Sequence, residues 1–260
     1  MCTLILLHRP QPGIPLVIAA NRDEYRDRPA RGPALVRRGT RTLLAPIDLR
    51  AGGTWLGLND AGLFAALTNR PSAAPDRTRR SRGLLVLDAL AARSALEAAA
   101  ALQALPAGRY NPFNLVVADG RRAFAACYDE TPRVTELAPG AHVVGNADPD
   151  DRSVPKVARL LAEAEGLAAG PRRDWLPGLA AICRGHEGEA PLGAACVHHG
   201  DYGTRSSVLL RLERDARRAK LLFADGAPCA TSYRDLSFLL HELRRADRSA
   251  ATATALGGIA

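Results

Sequence analysis

The chain has 260 residues, 47% hydrophobic and 24% charged, and its 35 Lys+Arg against 27 Asp+Glu leave a net charge of +8. That length buries a sizeable core without disulfides or metal, and the composition excludes a disordered or collagen-like chain. Lys156 and Lys220 are the only lysines, so the positive charge reflects an Arg-biased composition as much as selection for a polyanion, and it does not decide function.

Thr3 to His8 is apolar and β-prone, Pro10 to Gly13 is a turn signal, and Pro15 to Ala20 reads as a second strand. Paired as a hairpin, these strands return Asn21 to Glu24 beside the start of the chain. Arg28 to Arg50 is rich in Pro and Arg and is expected to be an ordered surface excursion. Thr54 to Leu58 and Leu63 to Thr68 form a clear hairpin around Asn59 to Gly62. A Pro/Arg loop from Pro71 to Arg80 precedes Gly83 to Leu105, whose Ala/Leu content predicts one or two helices. Phe113 to Ala118 and Ala123 to Tyr128 are strands around Asp119-Gly120, and Arg133 to Leu137 and His142 to Gly145 continue them. Helices are expected over Val154 to Ala169 and Asp174 to Arg184, then strands over Ser206 to Leu212 and Ala219 to Ala224. A helix near Leu236 to Arg245 and a frayed tail end the chain. Strands in consecutive pairs, with helices in two clusters, predict an α+β fold in one domain, residues 1–260.

Cys2, Cys127, Cys183, Cys196 and Cys229 are an odd set with no CxxC pair, against a disulfide framework and in favour of a reducing compartment. The start carries too short an apolar run for a signal peptide, and no stretch of about 18 apolar residues could span a membrane. The expected location is the cytoplasm.

Cys2 has the sharpest chemistry. Removal of Met1 would leave a thiol and an α-amine on one residue, and an α-amine titrates at about 7.7–8.0, close to what a general base needs. Nucleophile and base could therefore share one residue.

Seven blocks occur in order: MCTLILL, ANRDEYRDRPA, GGTWLGLNDAGLFAALTNRP, RSRGLLVLD, YNPFNLVVAD, GNADPDDRSVPKV and YGTRSSVLL. The series, covering residues 1–224, resembles the NRDE family, whose eukaryotic members include transport and Golgi organisation protein 2; Asn21, Arg22, Asp23 and Glu24 are its naming motif. The resemblance implies a four-layer αββα sandwich of the N-terminal nucleophile hydrolase type, related to choloylglycine hydrolase-like amidases and acyltransferases. Matched block by block, it implies site roles for Cys2, Asp23, Asn69, Asn146 and Arg205. Asp23 would hold the α-ammonium, Asn69 and Asn146 would donate to an oxyanion, and Arg205 would favour the thiolate. Asn21, Arg22 and Glu24 carry no assigned role. Three positions depart from the amidases' pattern. Ala20 stands where they place an Arg, Gly145 where they have Ser and Val154 where they have Trp. Arg22, the nearby Arg, should point to the opposite sheet face from Asp23.

Each residue also has a plain structural reading. Asp23 lies among arginines, Asn69 could cap the turn into Pro71, Asn146 could form an Asx-turn, and Arg205 could be solvated. Trp55 reads as a core anchor, and Asn114 as a maker of side-chain to main-chain bonds. Cys196, His198 and His199 invite a metal reading, but adjacent histidines on a strand face opposite sides and no second ligand pair lies nearby, so no metal is expected. The resemblance implies a small acyl amide as substrate, and the excess of Arg points to an anionic one. The family's link to haem trafficking makes haem a competing ligand, with Cys2 or a His as axial ligand and no other cofactor expected. Arg-rich nucleic-acid binding ranks third, for want of a reader module and with 5% aromatic residues. The excess charge maps to Arg22–Arg50 and Arg70–Arg82, which should rim the Cys2 pocket. The oligomeric state is not legible.

Overall fold

A computed structural model describes residues 2–72, 74–188 and 192–246. Its strands fall into two sheets. β1 (Thr3–Gln11) and β2 (Ile14–Tyr25) form the first hairpin. β3 (Ala30–Arg38), β4 (Arg41–Asp48), β5 (Leu56–Asn59) and β6 (Phe64–Asn69) follow, then helices α1 (Arg82–Ala89) and α2 (Ala95–Gln103). β7 (Phe113–Ala118), β8 (Ala123–Tyr128), β9 (Pro132–Leu137) and β10 (Gly140–Val144) lead into α3 (Pro155–Ala169) and α4 (Trp175–Arg184). β11 (His198–His199), β12 (Tyr202–Leu212), β13 (Lys220–Ala224) and β14 (Arg234–Asp235) complete the strands, and residues 238–246 are helical.

One sheet has the order β10-β1-β2-β12-β13-β14, with β11 on β12; the other runs β3-β4-β5-β6-β7-β8-β9. Alternation along the strands sorts side chains into three cores. Leu4, Leu6, Ile18, Phe64, Val116, Val208 and Phe223 meet between the sheets. Ile5, Leu7, Val17 and Ala19 face the other way, against Leu160 and Leu161 of α3 and Leu179 of α4. Ala65, Leu67, Leu115 and Val117 pack under α1 and α2. Helix, sheet, sheet, helix is the resulting order of layers. Each fully buried Leu contributes roughly 1.5–3 kcal/mol of transfer free energy, so a two-faced strand such as β1 is held from both sides.

The passage from Arg28 to Arg50 is not a loop excursion: it is a β-hairpin at the edge of the second sheet. Arg and Pro interrupt its apolar alternation, yet Leu43, Leu44 and Ala45 of β4 are buried, and β3 carries its exposed arginines on the sheet edge. The helical stretch before residue 105 divides in two because Ser94 caps α2, accepting from the Glu97 N–H at 3.2 Å. The tail expected to fray lies, from residue 247, outside the described residues. No helix among the described residues is long and apolar enough to cross a membrane.

Candidate active site

The hairpin β1–β2 pairs Thr3 with Asn21, so the residue in line with Cys2 is Arg22; Asp23 lies one step beyond. Alternation then separates the four signature residues. Asn21 turns toward the helices, where its Nδ2 donates to the carbonyls of Cys183 (2.9 Å) and Ala195 (2.8 Å). Arg22 takes the opposite face, donating to Asp48 Oδ2 at 2.9 Å with its guanidinium 4.4 Å from the centre of the Trp55 ring. Asp23 accepts from the Thr204 hydroxyl at 2.6 Å, and Glu24 forms ion pairs with Arg22 and Arg28.

A cavity of about 630 Å³ opens at this strand end; Cys2, Arg22, Asp23, Glu24, Asp48, Trp55, Leu67 and Asn69 are on its wall. Its far side comes from the segment entering α1, where Arg80 and Arg82 belong to the RSRG block. Gly53 and Gly83 make that approach possible: a Cβ on Gly53 would come within 2.4 Å of the Gly83 carbonyl carbon, and Thr54 N–H donates to Gly83 O at 3.0 Å. Seven arginines and four carboxylates line the cavity. Asp48 gathers Arg22 and Arg28, and its Oδ1 accepts from the Arg50 and Ala51 N–H groups. Arg82 donates to the Pro112 carbonyl at 2.9 Å and, like Arg77, faces no carboxylate within ion-pair distance among the described residues.

The charged groups are strongly perturbed. Burial, with the Asp23 charge beside it, pushes the Cys2 thiol up, against a smaller downward pull from the main-chain N–H of Asp23 and the Arg22 guanidinium. Burial raises the Asp23 carboxyl to about 6, opposed by Lys156 and the Thr204 hydrogen bond. Its Oδ2 and the Lys156 Nζ are both buried without a hydrogen-bond partner among the described residues. Burial lowers the Lys156 ammonium, countered by Asp23 and Cys2.

Of the residues nominated from sequence, Cys2, Arg22, Asp23, Glu24 and Asn69 therefore meet on one wall. Asn69 is half-buried at the end of β6, and its main-chain carbonyl is held by the Asn146 side chain. Asn146 itself is not on the wall. Asn114 holds the same loop, donating to Gly145 O (3.2 Å) and Ala147 O (2.7 Å), and the Thr68 hydroxyl also donates to Gly145 O. Arg205 sits at the β-bulge between Thr204 and Ser206, its Nε buried without a hydrogen-bond partner among the described residues, and does not line the cavity. Trp55 is more than a core anchor, since it also forms cavity wall beneath Arg22. Sequence reasoning passed over Asp48, Arg82 and Lys156; the last two stand in quoted blocks, but their contacts with the Cys2 region are tertiary. For haem, the wall offers one thiol, Cys2, and arginines for propionates, but no histidine.

A family model described as Transport and Golgi organisation 2 matches residues 1–222. The chain belongs to that family. The Transport and Golgi organization protein 2 homolog of Bos taurus is 32% identical over 257 residues, covering 83% of this chain and 90% of that protein. Among solved structures, a Caenorhabditis elegans N-acylethanolamine-hydrolyzing acid amidase ortholog superposes with a TM-score of 0.59 at 14% identity, over 80% of this chain and 92% of that one. Penicillin V acylase from Agrobacterium tumefaciens gives 0.53 at 15%, over 92% and 88%. Both likenesses are of fold, and the fold is that of the N-terminal nucleophile hydrolases.

Proposed function

We propose that the chain, freed of Met1, is an amidase or acyltransferase that uses Cys2 on a small anionic acyl amide. One observation carries the reading: a half-buried Cys2 thiol shares an arginine-lined cavity with a buried Asp23 whose second carboxylate oxygen has no hydrogen-bond partner among the described residues. Met1 lies outside the described residues. In the reaction the α-amine would take the thiol proton, and Asp23 Oδ2 would hold the resulting ammonium. The thiolate forms a C–S bond to the acyl carbon. The C–N bond then breaks and the amine departs with that proton. Water or an acceptor amine attacks the thioester, the C–S bond breaks and the thiol is restored. The Asn69 amide would donate to the oxyanion, an interaction that is worth about 3 kcal/mol in such sites. Asn146 would act by fixing the Asn69 main chain, and Arg22 in place of Arg205 would supply the nearby charge. Arg77 and Arg82 are left to pair with an anionic substrate group.

Haem is the competing occupant: Cys2 would ligate its iron and the same arginines would hold its propionates. Intact mass after incubation with a panel of N-acyl amino acids separates the two. An acyl adduct present in the wild type and absent from Cys2→Ala supports the enzyme. A saturable Soret shift with haem, without any adduct, overturns it, as does active protein that retains Met1.

A further inference from the structure

The second ligand pair that local sequence does not supply is brought in by the fold, behind the cavity. Cys196 and His198 flank Val197 at the start of β11, His186 follows the end of α4, and Cys229 lies in the turn after β13. Their ligand atoms all lie within 4.8 Å of one another. Cys196 Sγ is 3.5 Å from Cys229 Sγ and 3.6 Å from His198 Nε2, and His198 Nε2 is 3.2 Å from Cys229 Sγ. The His186 and His198 rings stand 5.2 Å apart at 66°.

We infer that His186, Cys196, His198 and Cys229 form a tetrahedral binding site for a structural zinc ion. The inference is independent of the proposed acyl chemistry. Zinc bonds of about 2.3 Å to sulfur and 2.0–2.1 Å to nitrogen at tetrahedral angles require S···S near 3.8 Å and S···N near 3.5 Å. The three distances above stand within about 0.4 Å of those values. The donor set is two soft sulfurs and two imidazoles with no carboxylate, which selects zinc over calcium or magnesium. Binding releases one proton from each thiol, so the divalent ion and two thiolates make a neutral centre. Four protein ligands leave no open coordination position, which assigns a structural and not a catalytic role. A disulfide is the rival pairing, but it needs S–S of about 2.05 Å, whereas the two sulfurs here are free and in van der Waals contact.

The position gives the ion a task. Cys196 N–H donates to Gly185 O at 2.9 Å, joining the same two segments whose Cys183 and Ala195 carbonyls Asn21 clamps. Val197 N–H donates to Thr204 Oγ1 at 2.8 Å, and that hydroxyl donates to Asp23. The ion would tie the end of α4, β11 and the turn after β13 together directly behind Asp23.

The test uses untagged full-length protein, reduced and dialysed against Zn²⁺ and then against metal-free buffer. The expected result is one equivalent of zinc by elemental analysis. Co²⁺ in its place should give the intense visible absorption of a tetrahedral site and thiolate-to-cobalt charge transfer. Cys229→Ser and His198→Ala, both exposed positions, should each lose the stoichiometric metal and the cobalt spectrum, while Cys2→Ala keeps both. Circular dichroism reports whether each variant is folded; His186→Ala is the further ligand variant should one of them fail. No retained metal in folded wild type, full retention in folded ligand variants, or an octahedral cobalt spectrum each overturns the site. So does a mass 2 Da low with two thiols missing after purification under reducing conditions.

Discussion

The Thr204 hydroxyl donates to Asp23 Oδ1 at 2.6 Å and leaves Oδ2 buried with no hydrogen-bond partner among the described residues. A carboxylate half satisfied in the core is costly to ionise, which is why its pKa rises to about 6 from an ordinary 3.8. Between those two values the folded chain binds more protons than the unfolded one, so stability falls as pH rises from about 4 to about 6 and levels off above that. Asp23→Asn keeps an acceptor for Thr204 and removes the charge. Urea unfolding should show the variant more stable at pH 7, by at most about 3 kcal/mol, with the acidic slope flattened. Acyl turnover should be lost. A variant less stable at pH 7 than at pH 4 relative to wild type would refute the charge penalty.

The two unpaired arginines make a different prediction from the paired one. Arg22 is anchored by Asp48 and stacked on Trp55, so Arg22→Met breaks a buried ion pair and strands Asp48 with Arg28 alone. It should cost stability of about 3 kcal/mol. Among the described residues Arg82 hydrogen-bonds only the Pro112 carbonyl, so Arg82→Met should leave the fold nearly intact. It should raise KM for an anionic acyl amide roughly 10–100-fold, the worth of one charged hydrogen bond. An uncharged analogue should be handled as before, and the salt dependence of kcat/KM should flatten. Equal losses for charged and neutral substrates would remove Arg82 from recognition.

The loop carrying Asn146 is closed by a histidine–carboxylate pair. His142 Nδ1 lies 2.6 Å from Asp150 Oδ2 and its Nε2 lies 2.8 Å from the Ala138 carbonyl, while Asp150 Oδ1 accepts from the Val143 N–H. Burial works against the imidazolium, but the Asp150 and Ala138 contacts prevail and raise its pKa above the ordinary 6.5. A raised histidine contributes its stability in full below pH 6.5 and loses it as pH climbs through the folded value. His142→Gln should therefore cost most at pH 6, about 1–3 kcal/mol, and progressively less toward pH 8.5, as read by thermal melts across that range. A constant cost over the range would mean that the pair holds no proton of its own.

What could be read before the structure follows from range. The strands Phe113–Ala118 and Ala123–Tyr128 are legible to the residue, because apolar runs bounded by Asp-Gly are local signals. β3 and β4 are not, because Arg and Pro hide an alternation that only the buried Leu43 and Leu44 reveal. Cys2 and Asp23 stand at strand ends that a hairpin reading places together, whereas Asn69, on the other sheet, is reached only through the family resemblance. Arg82 reaches the same cavity only because Gly53 and Gly83 let two distant segments touch. His186 and Cys229 likewise meet Cys196 through α4 and β13, elements that no spacing rule connects.

Asn21 opens the family's naming motif, and its geometry separates it from the chemistry. It is 2% exposed, and its amide donates both hydrogens to the carbonyls of Cys183 and Ala195 on the helix side of the sheet. Alanine there leaves two buried carbonyls unsatisfied, each worth about 1–3 kcal/mol. Asn21→Ala should therefore destabilise the chain by about 2–6 kcal/mol in urea while kcat per folded molecule changes little. Asn21→Asp should be worse, since a carboxylate offers acceptors where donors are required. The Cys183 carbonyl ends α4 and the Ala195 carbonyl precedes Cys196, so loosening this clamp should also weaken zinc retention. Full stability in Asn21→Ala would show that the clamp is dispensable, and a selective loss of kcat would place Asn21 with Cys2 instead.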